Sequence, residues 1–219
     1  MRAAVELTGL RPPSLSAPGE RFNVCSHLLG LALCLPGAVA LLERVLPLRD
    51  PAKTAGALIF VSCALALYAA STLCHATRGP AKLRWQRADH CAVFLLIAGS
   101  YTPFALAALH SARDWVALAS IWSLALVAIG RELWRRAPSP PCVAAYVALG
   151  WLSVVAAWPV VARMEGSAFG WLCCGAALYT AGTLFYCNPR GWRHAHGVWH
   201  LFVLGGTSSH FLAVARVLS

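Results

Sequence analysis

The stretch AHGVWHLFVLGGTSSHFLAVARV, Ala195 to Val217, decides how this chain is read. A helix rises 1.5 Å per residue, so about 20 apolar residues cross a hydrocarbon layer about 30 Å thick. This stretch is that long, and Arg216, at its far end, is its one fixed charge. It opens on His196 and His200, four residues apart, which places both on one helix face one turn apart. Polar groups inside a bilayer are costly and mark function. An i, i+4 histidine pair is a weak signal by itself, because two ligands do not complete a metal site.

The rest of the chain has the same character. Of 219 residues, 59% are hydrophobic and 12% charged, with a mean hydropathy of +0.64; soluble domains carry about 25% charged residues. Seven apolar runs reach spanning length: Phe22–Leu42, Thr54–Thr77, Asp89–Leu109, Trp115–Gly130, Cys142–Val161, Phe169–Cys187 and Ala195–Val217. The predicted fold is all-α, a polytopic membrane protein with a seven-transmembrane-helix bundle (22–219) after a short N-terminal tail (1–21). The tail has no apolar core before Phe22, so the first run reads as a retained span rather than a cleaved signal. Pro47, Pro51, Gly79-Pro80, Pro138 to Pro141 and Asn188-Pro189 break the linkers. Pro36, Pro103 and Pro159 fall inside spans, where membrane helices tolerate kinks.

The net charge of +10 sits in short linkers, not in a basic stripe. That excludes nucleic acid as a partner and suits topology signals beside anionic headgroups. The tail and the second, fourth and sixth linkers hold twelve Lys and Arg residues; the other side holds six. The N-terminus is therefore expected in the cytoplasm, in a multi-pass protein of the cell membrane with membrane lipids around it. In that orientation the second run ends inside at His75. The third begins inside at Asp89 and the seventh at His196 and His200, so all four share one depth. The nine cysteines include no CxxC pair and read as small apolar core residues.

His75 is the best-placed third ligand. Three protein ligands with a fourth position open form the catalytic pattern for zinc, which polarises a carbonyl and lowers the pKa of its water to about 7. Ser71 lies one turn before His75 on the same face and can hydrogen-bond a ligand, a water or an oxyanion. Asp89 can serve as general base or orient a histidine. The expectation is a Zn2+ site on His75, His196 and His200, with Ser71 and Asp89 catalytic, in a hydrolase of a lipid amide or ester.

These residues fall in a set of motifs: Glu20-Arg-Phe-Asn23-Val-Cys-Ser26-His27, Ser71-Thr-Leu-Cys-His75, Asp89 followed by Ile97-Ala-Gly-Ser-Tyr-Thr-Pro103, and His196-Gly-Val-Trp-His200 with His210. In their order and spacing, from Glu20 to the last span, the chain resembles the hemolysin III-type members of the progestin and adipoQ receptor family, whose superfamily includes adiponectin receptors and alkaline ceramidases. The resemblance implies a seven-helix bundle with its N-terminus inside and an intramembrane zinc near the cytoplasmic face. It implies His75, His196 and His200 as ligands, Ser71 and Asp89 around the zinc water, and cleavage of amide bonds in sphingolipid-like or fatty-acyl substrates. A long N-terminal cytoplasmic domain like that of the adiponectin receptors is not seen, which weakens a hormone-receptor role. Two alternatives stand beside the hydrolase. One is a non-enzymatic receptor or sensor with a structural zinc. The other is a hemolysin-type cytolytic protein, for which no helix offers a polar stripe. Glu20, Asn23 and His27 share the depth of the site, and Asn23 and His27 read as polar packing. His210 reads as a buried, hydrogen-bonded histidine too far along the helix to join the site. His90 and His194 are expected at the interface, and His110 on the outer side.

Overall fold

The computed structural model of the chain describes residues 19–107, 111–135, 141–162 and 167–218. Among these there is no strand. The helices are α1 (Glu20–Val45), α2 (Pro51–Ala76), α3 (Gly79–Ala107), α4 (Ala112–Trp134), α5 (Val143–Val161), α6 (Ser167–Cys187) and α7 (Ala195–Val217), with a 3-10 turn at Leu46–Leu48. All seven are long and apolar enough to cross a membrane. The chain is a multi-pass membrane protein. The expectations for the tail up to residue 18, Leu109, His110, Arg136, Pro138 and Arg163 lie outside the described residues.

Local chemistry sets the boundaries that hydropathy misplaces. The Asp50 carboxylate accepts from Ala52 N at 2.9 Å and Lys53 N at 3.2 Å, so α2 starts at Pro51 rather than Thr54. Ser111 and Asp114 form a capping box, which starts α4 at Ala112, ahead of the apolar run. The largest correction concerns α3. It begins at Gly79, not at Asp89, because Lys, Leu, Arg, Gln and Ala after Pro80 are good helix formers although polar. Asp89 therefore lies ten residues into the helix, about 15 Å from its start, and is not an N-cap.

In the bundle α1 packs against α2 and α7, α2 against α3, α5 against α6, and α6 against α7. Helix α3 joins these by touching α2, α4, α5 and α7, and 72% of its apolar window is buried. For α4 the share is 17%. It leans on α3 and α5 from outside, tied by Trp122 Nε1 donating to Thr102 Oγ1 at 3.0 Å and by Glu132 to His90 at 2.9 Å. Its outward residues include Trp115, Val116, Leu126 and Val127, an apolar face that suits lipid. Cys63, Cys74 and Cys91 are buried, but Cys25, Cys142, Cys174 and Cys187 face outward. Not all the cysteines are core residues, since a thiol is apolar enough to meet lipid.

Without a hydrophobic drive between helices, close approach depends on small residues. Gly30 of α1 lies over the ring of Tyr68 of α2, which is fully buried. A methyl there would overlap the ring, so the ring or the helix has to shift. Gly30→Ala should lower the thermal midpoint in detergent, by about 1–3 kcal/mol of stability, although alanine is the better helix former. An unchanged or raised midpoint would show that α1 and α2 are not packed this way.

Candidate metal centre

Three helix ends meet at one level: the start of α1, the end of α2 and the start of α7. Gly19 at φ 106° turns the chain into α1, a conformation that favours glycine. Gly197 lets α7 approach closely, since a Cβ there would run into the Phe22 ring and lie 3.0 Å from Asn23 Oδ1. The convergence brings His75, His196 and His200 together, with one ring nitrogen from each within 4.8 Å of the others. His75 and His200 are buried and His196 is half-buried.

The partners of the remaining ring nitrogens assign the protons. His75 Nδ1 lies 2.7 Å from Glu20 Oε2, a carboxylate with side-chain exposure of 6%. His200 Nδ1 lies 3.2 Å from the Asn23 carbonyl and 3.0 Å from Ser26 Oγ. Ser26 Oγ itself donates to Asn23 O at 2.9 Å. Carboxylate and carbonyl oxygens only accept, so each Nδ1 carries the hydrogen and each Nε2 keeps its lone pair. His75 Nε2 faces His196 Nε2 at 3.2 Å. Two nitrogens on one tetrahedral zinc, at about 2.0–2.1 Å each, sit about 3.3 Å apart. The donor set and this spacing fit such an ion. A carboxylate behind one ligand and a backbone carbonyl behind another are the usual outer partners of metal-bound histidines.

A cavity of about 370 Å³ opens from these histidines, within the range of small-molecule sites. Ser71 and Asp89 line it. Ser71 is 1% exposed, and its hydroxyl interacts with the Asp89 carboxylate. Asp89 is partly buried and interacts electrostatically with His75 and His90, but it stands outside the point where the three histidines converge. His27 is buried and stacks on His200, with ring centroids 3.6 Å apart and an interplanar angle of 17°. His210 is buried with Nε2 3.3 Å from Leu172 O, apart from the cluster. His194 is exposed, whereas His90 is not. It is buried, with Nδ1 2.9 Å from Glu132 Oε1 on α4.

Known proteins resemble the chain in sequence along nearly its whole length. A model of the family described as "Haemolysin-III related" matches residues 15–211. The chain belongs to the haemolysin-III related family. It is 35% identical over 199 residues to "Hemolysin-3 homolog" of Bacillus subtilis (strain 168), covering 89% of this chain and 92% of that one. To "Hemolysin-3" of Bacillus cereus it is 32% identical over 198 residues, covering 89% and 90%. To "Adiponectin receptor protein" of Drosophila melanogaster it is 22% identical over 227 aligned positions, covering 90% of this chain and 50% of that protein.

Glu20 is the site residue that sequence reasoning left without a role. Its spacing of three residues from Asn23 on one helix face was the available signal, but nothing in the spacing pointed at His75. If the histidines hold a divalent ion, elemental mass spectrometry of chain purified in detergent without chelators should find about one per chain. His75→Ala, His196→Ala and His200→Ala should each lose it, and His210→Ala should keep it. Metal retained in His196→Ala would place the ion elsewhere.

Proposed function

We propose that this haemolysin-III family member is a membrane-embedded zinc hydrolase that cleaves an amide or ester bond in a lipid. Zinc would be held by His75, His196 and His200. The observation that carries the reading is a cavity with three histidines, Ser71 and Asp89 gathered at one end and a mostly apolar lining beyond, into which Ser100, Ser153 and Thr180 place scattered hydroxyls. Beyond Ser71 and Asp89 the lining includes Val93, Ile97, Tyr101 and Phe104 of α3. From Asp89 to Phe104 the helix advances about 22 Å, room for a long apolar chain whose carbonyl rests beside the histidines. The basic residues near that end, Arg78, Arg84, Arg190 and Arg193 among them, support a cytoplasmic location by the positive-inside rule.

Zinc at this position would supply a Lewis acid for the carbonyl and activate water at neutral pH. The chain's own residues do the rest. Asp89, on the cavity wall, takes a proton from the attacking water and returns it to the leaving amine or alcohol. The buried Ser71 hydroxyl donates to the carbonyl oxygen as negative charge develops there. The apolar lining seats the acyl chain and keeps bulk water from the reacting bond. Sphingolipid-like N-acyl amides are the substrate class this division of polar and apolar lining suits.

The test uses a fluorescent N-acyl sphingoid amide and the matching ester, with purified protein in mixed micelles. Asp89→Asn should keep its zinc and lose 10²–10⁴-fold in kcat/KM, and Ser71→Ala about 10²-fold. A zinc-loaded wild type that turns over neither substrate would favour a receptor or sensor with a structural zinc. Full turnover by Asp89→Asn would overturn the proton-transfer role.

A further inference from the structure

Lys82 lies in a linker rich in basic residues, where charge counting reads it as a topology signal. Arg84, two residues on, is exposed. Lys82 is not: its side chain is 13% exposed and lines the cavity. Its ammonium reaches two acceptors, Glu20 Oε1 at 3.0 Å and the carbonyl of Cys74 at 3.2 Å. Both acceptors adjoin His75. Glu20 uses its other oxygen, Oε2, to hold His75 Nδ1 at 2.7 Å, and Cys74 is the residue before His75. The last four carbonyls of a helix lack intrahelical partners. Since α2 ends at Ala76, the Cys74 carbonyl is one of them, and Lys82 caps it from α3.

We infer that Lys82 is a positioning residue of the metal centre, one that fixes Glu20 against His75 and thereby sets how firmly the three histidines hold zinc. The inference rests on the zinc reading above. Lys82 is on Oε1, whereas His75 and, at 3.5 Å, the Asn23 amide are on Oε2, so the carboxylate is held at both oxygens. Were Oε1 unheld, Glu20 could swing on its three side-chain torsions, and His75 would lose the acceptor that fixes its tautomer and ring plane. Outer partners of this kind change metal affinity by 10–100-fold when removed. The same ammonium joins α1, α2 and α3 at the ligand level, so helix packing and ligand orientation share one set of contacts.

The experiment measures zinc affinity in detergent by competition with a chromophoric chelator. The variants are Lys82→Met, Lys82→Arg, Glu20→Gln and the double variant Glu20→Gln/Lys82→Met. Lys82→Met and Glu20→Gln should each weaken zinc 10–100-fold. The double variant should be no weaker than Glu20→Gln, because the two act along one path. Lys82→Arg keeps the charge and should recover affinity to within a few-fold. The double variant also removes both members of the buried pair, so it keeps the question open to test if Lys82→Met does not fold. Wild-type affinity in Lys82→Met or in the double variant would overturn the proposal, as would losses that simply add. A thermal shift without a change in zinc affinity would reduce Lys82 to a helix cap and overturn it too. Wild-type protein that holds no zinc would sink the metal reading first, and the proposal with it.

Discussion

The polar end of this bundle depends on where two imidazole protons sit. His75 and His200 each have Nδ1 against an acceptor that cannot donate, the Glu20 carboxylate and the Asn23 carbonyl. Their Nε2 lone pairs are thereby committed to the interior. Both acceptors come from the first turn of α1, a helix that contributes no ligand. In a low-dielectric interior an unpaired polar group is costly, so this turn stabilises the imidazoles in the same step that orients them. The close approach of α7 at Gly197 and the tight entry at Gly19 make that reach geometrically available.

Helix α3 supplies the second layer. It is the most buried span and touches four neighbours, and it carries residues of three kinds along one element. Lys82 supports Glu20, Asp89 lines the cavity, and His90 anchors the peripheral α4 through Glu132. The Tyr146 hydroxyl of α5 donates to the His90 carbonyl at 3.1 Å, which ties α5 to the same turn. Glu132 also takes Arg135 at 3.4 Å, so its buried charge meets two nitrogen groups. A carboxylate this deep needs such partners, and their position beside Asp89 gives the outermost helix a path of contacts to the cavity wall.

Much of this was legible in the chain, and the limits have physical causes. Spanning helices announce themselves through length and hydropathy, and α7 begins and ends where its apolar run does. The histidines were legible because an ionisable group in lipid is rarely accidental and because helix periodicity puts residues 196 and 200 on one face. The start of α3 was not legible: hydropathy records where lipid begins, whereas a helix continues through any good helix former. The pairs Glu20–His75 and His90–Glu132 were not legible either. They join residues 55 and 42 positions apart on different helices, and one chain without its packing holds no information on which turn faces which. Charge counting uses Lys82 as a topology signal and carries no information on the partners that its ammonium finds at Glu20 and Cys74.

The distribution of satisfied polar groups bears on what the interior is for. Further along α7, polarity is consumed locally. Thr207 donates to Val203 O at 3.0 Å and meets Tyr179 at 2.8 Å, while His210 bonds to the Leu172 carbonyl. From His200 to His210 the helix advances about 15 Å, and along that distance Thr207 and His210 Nε2 turn to backbone carbonyls. At the α1–α2–α7 end the opposite holds, for there three imidazoles bring one ring nitrogen each to a common point. A conduit for ions or water needs polar groups facing its lumen at every depth, whereas this interior gathers most of its ionisable groups at one end and lines the rest with Val93, Ile97 and Phe104 among scattered hydroxyls such as Ser100 and Ser153. On the hydrolase reading proposed above, that asymmetry would seat an amphipathic molecule with its polar head at the histidines and its apolar body along α3. It favours chemistry or recognition at a fixed depth over passage from one side of the membrane to the other.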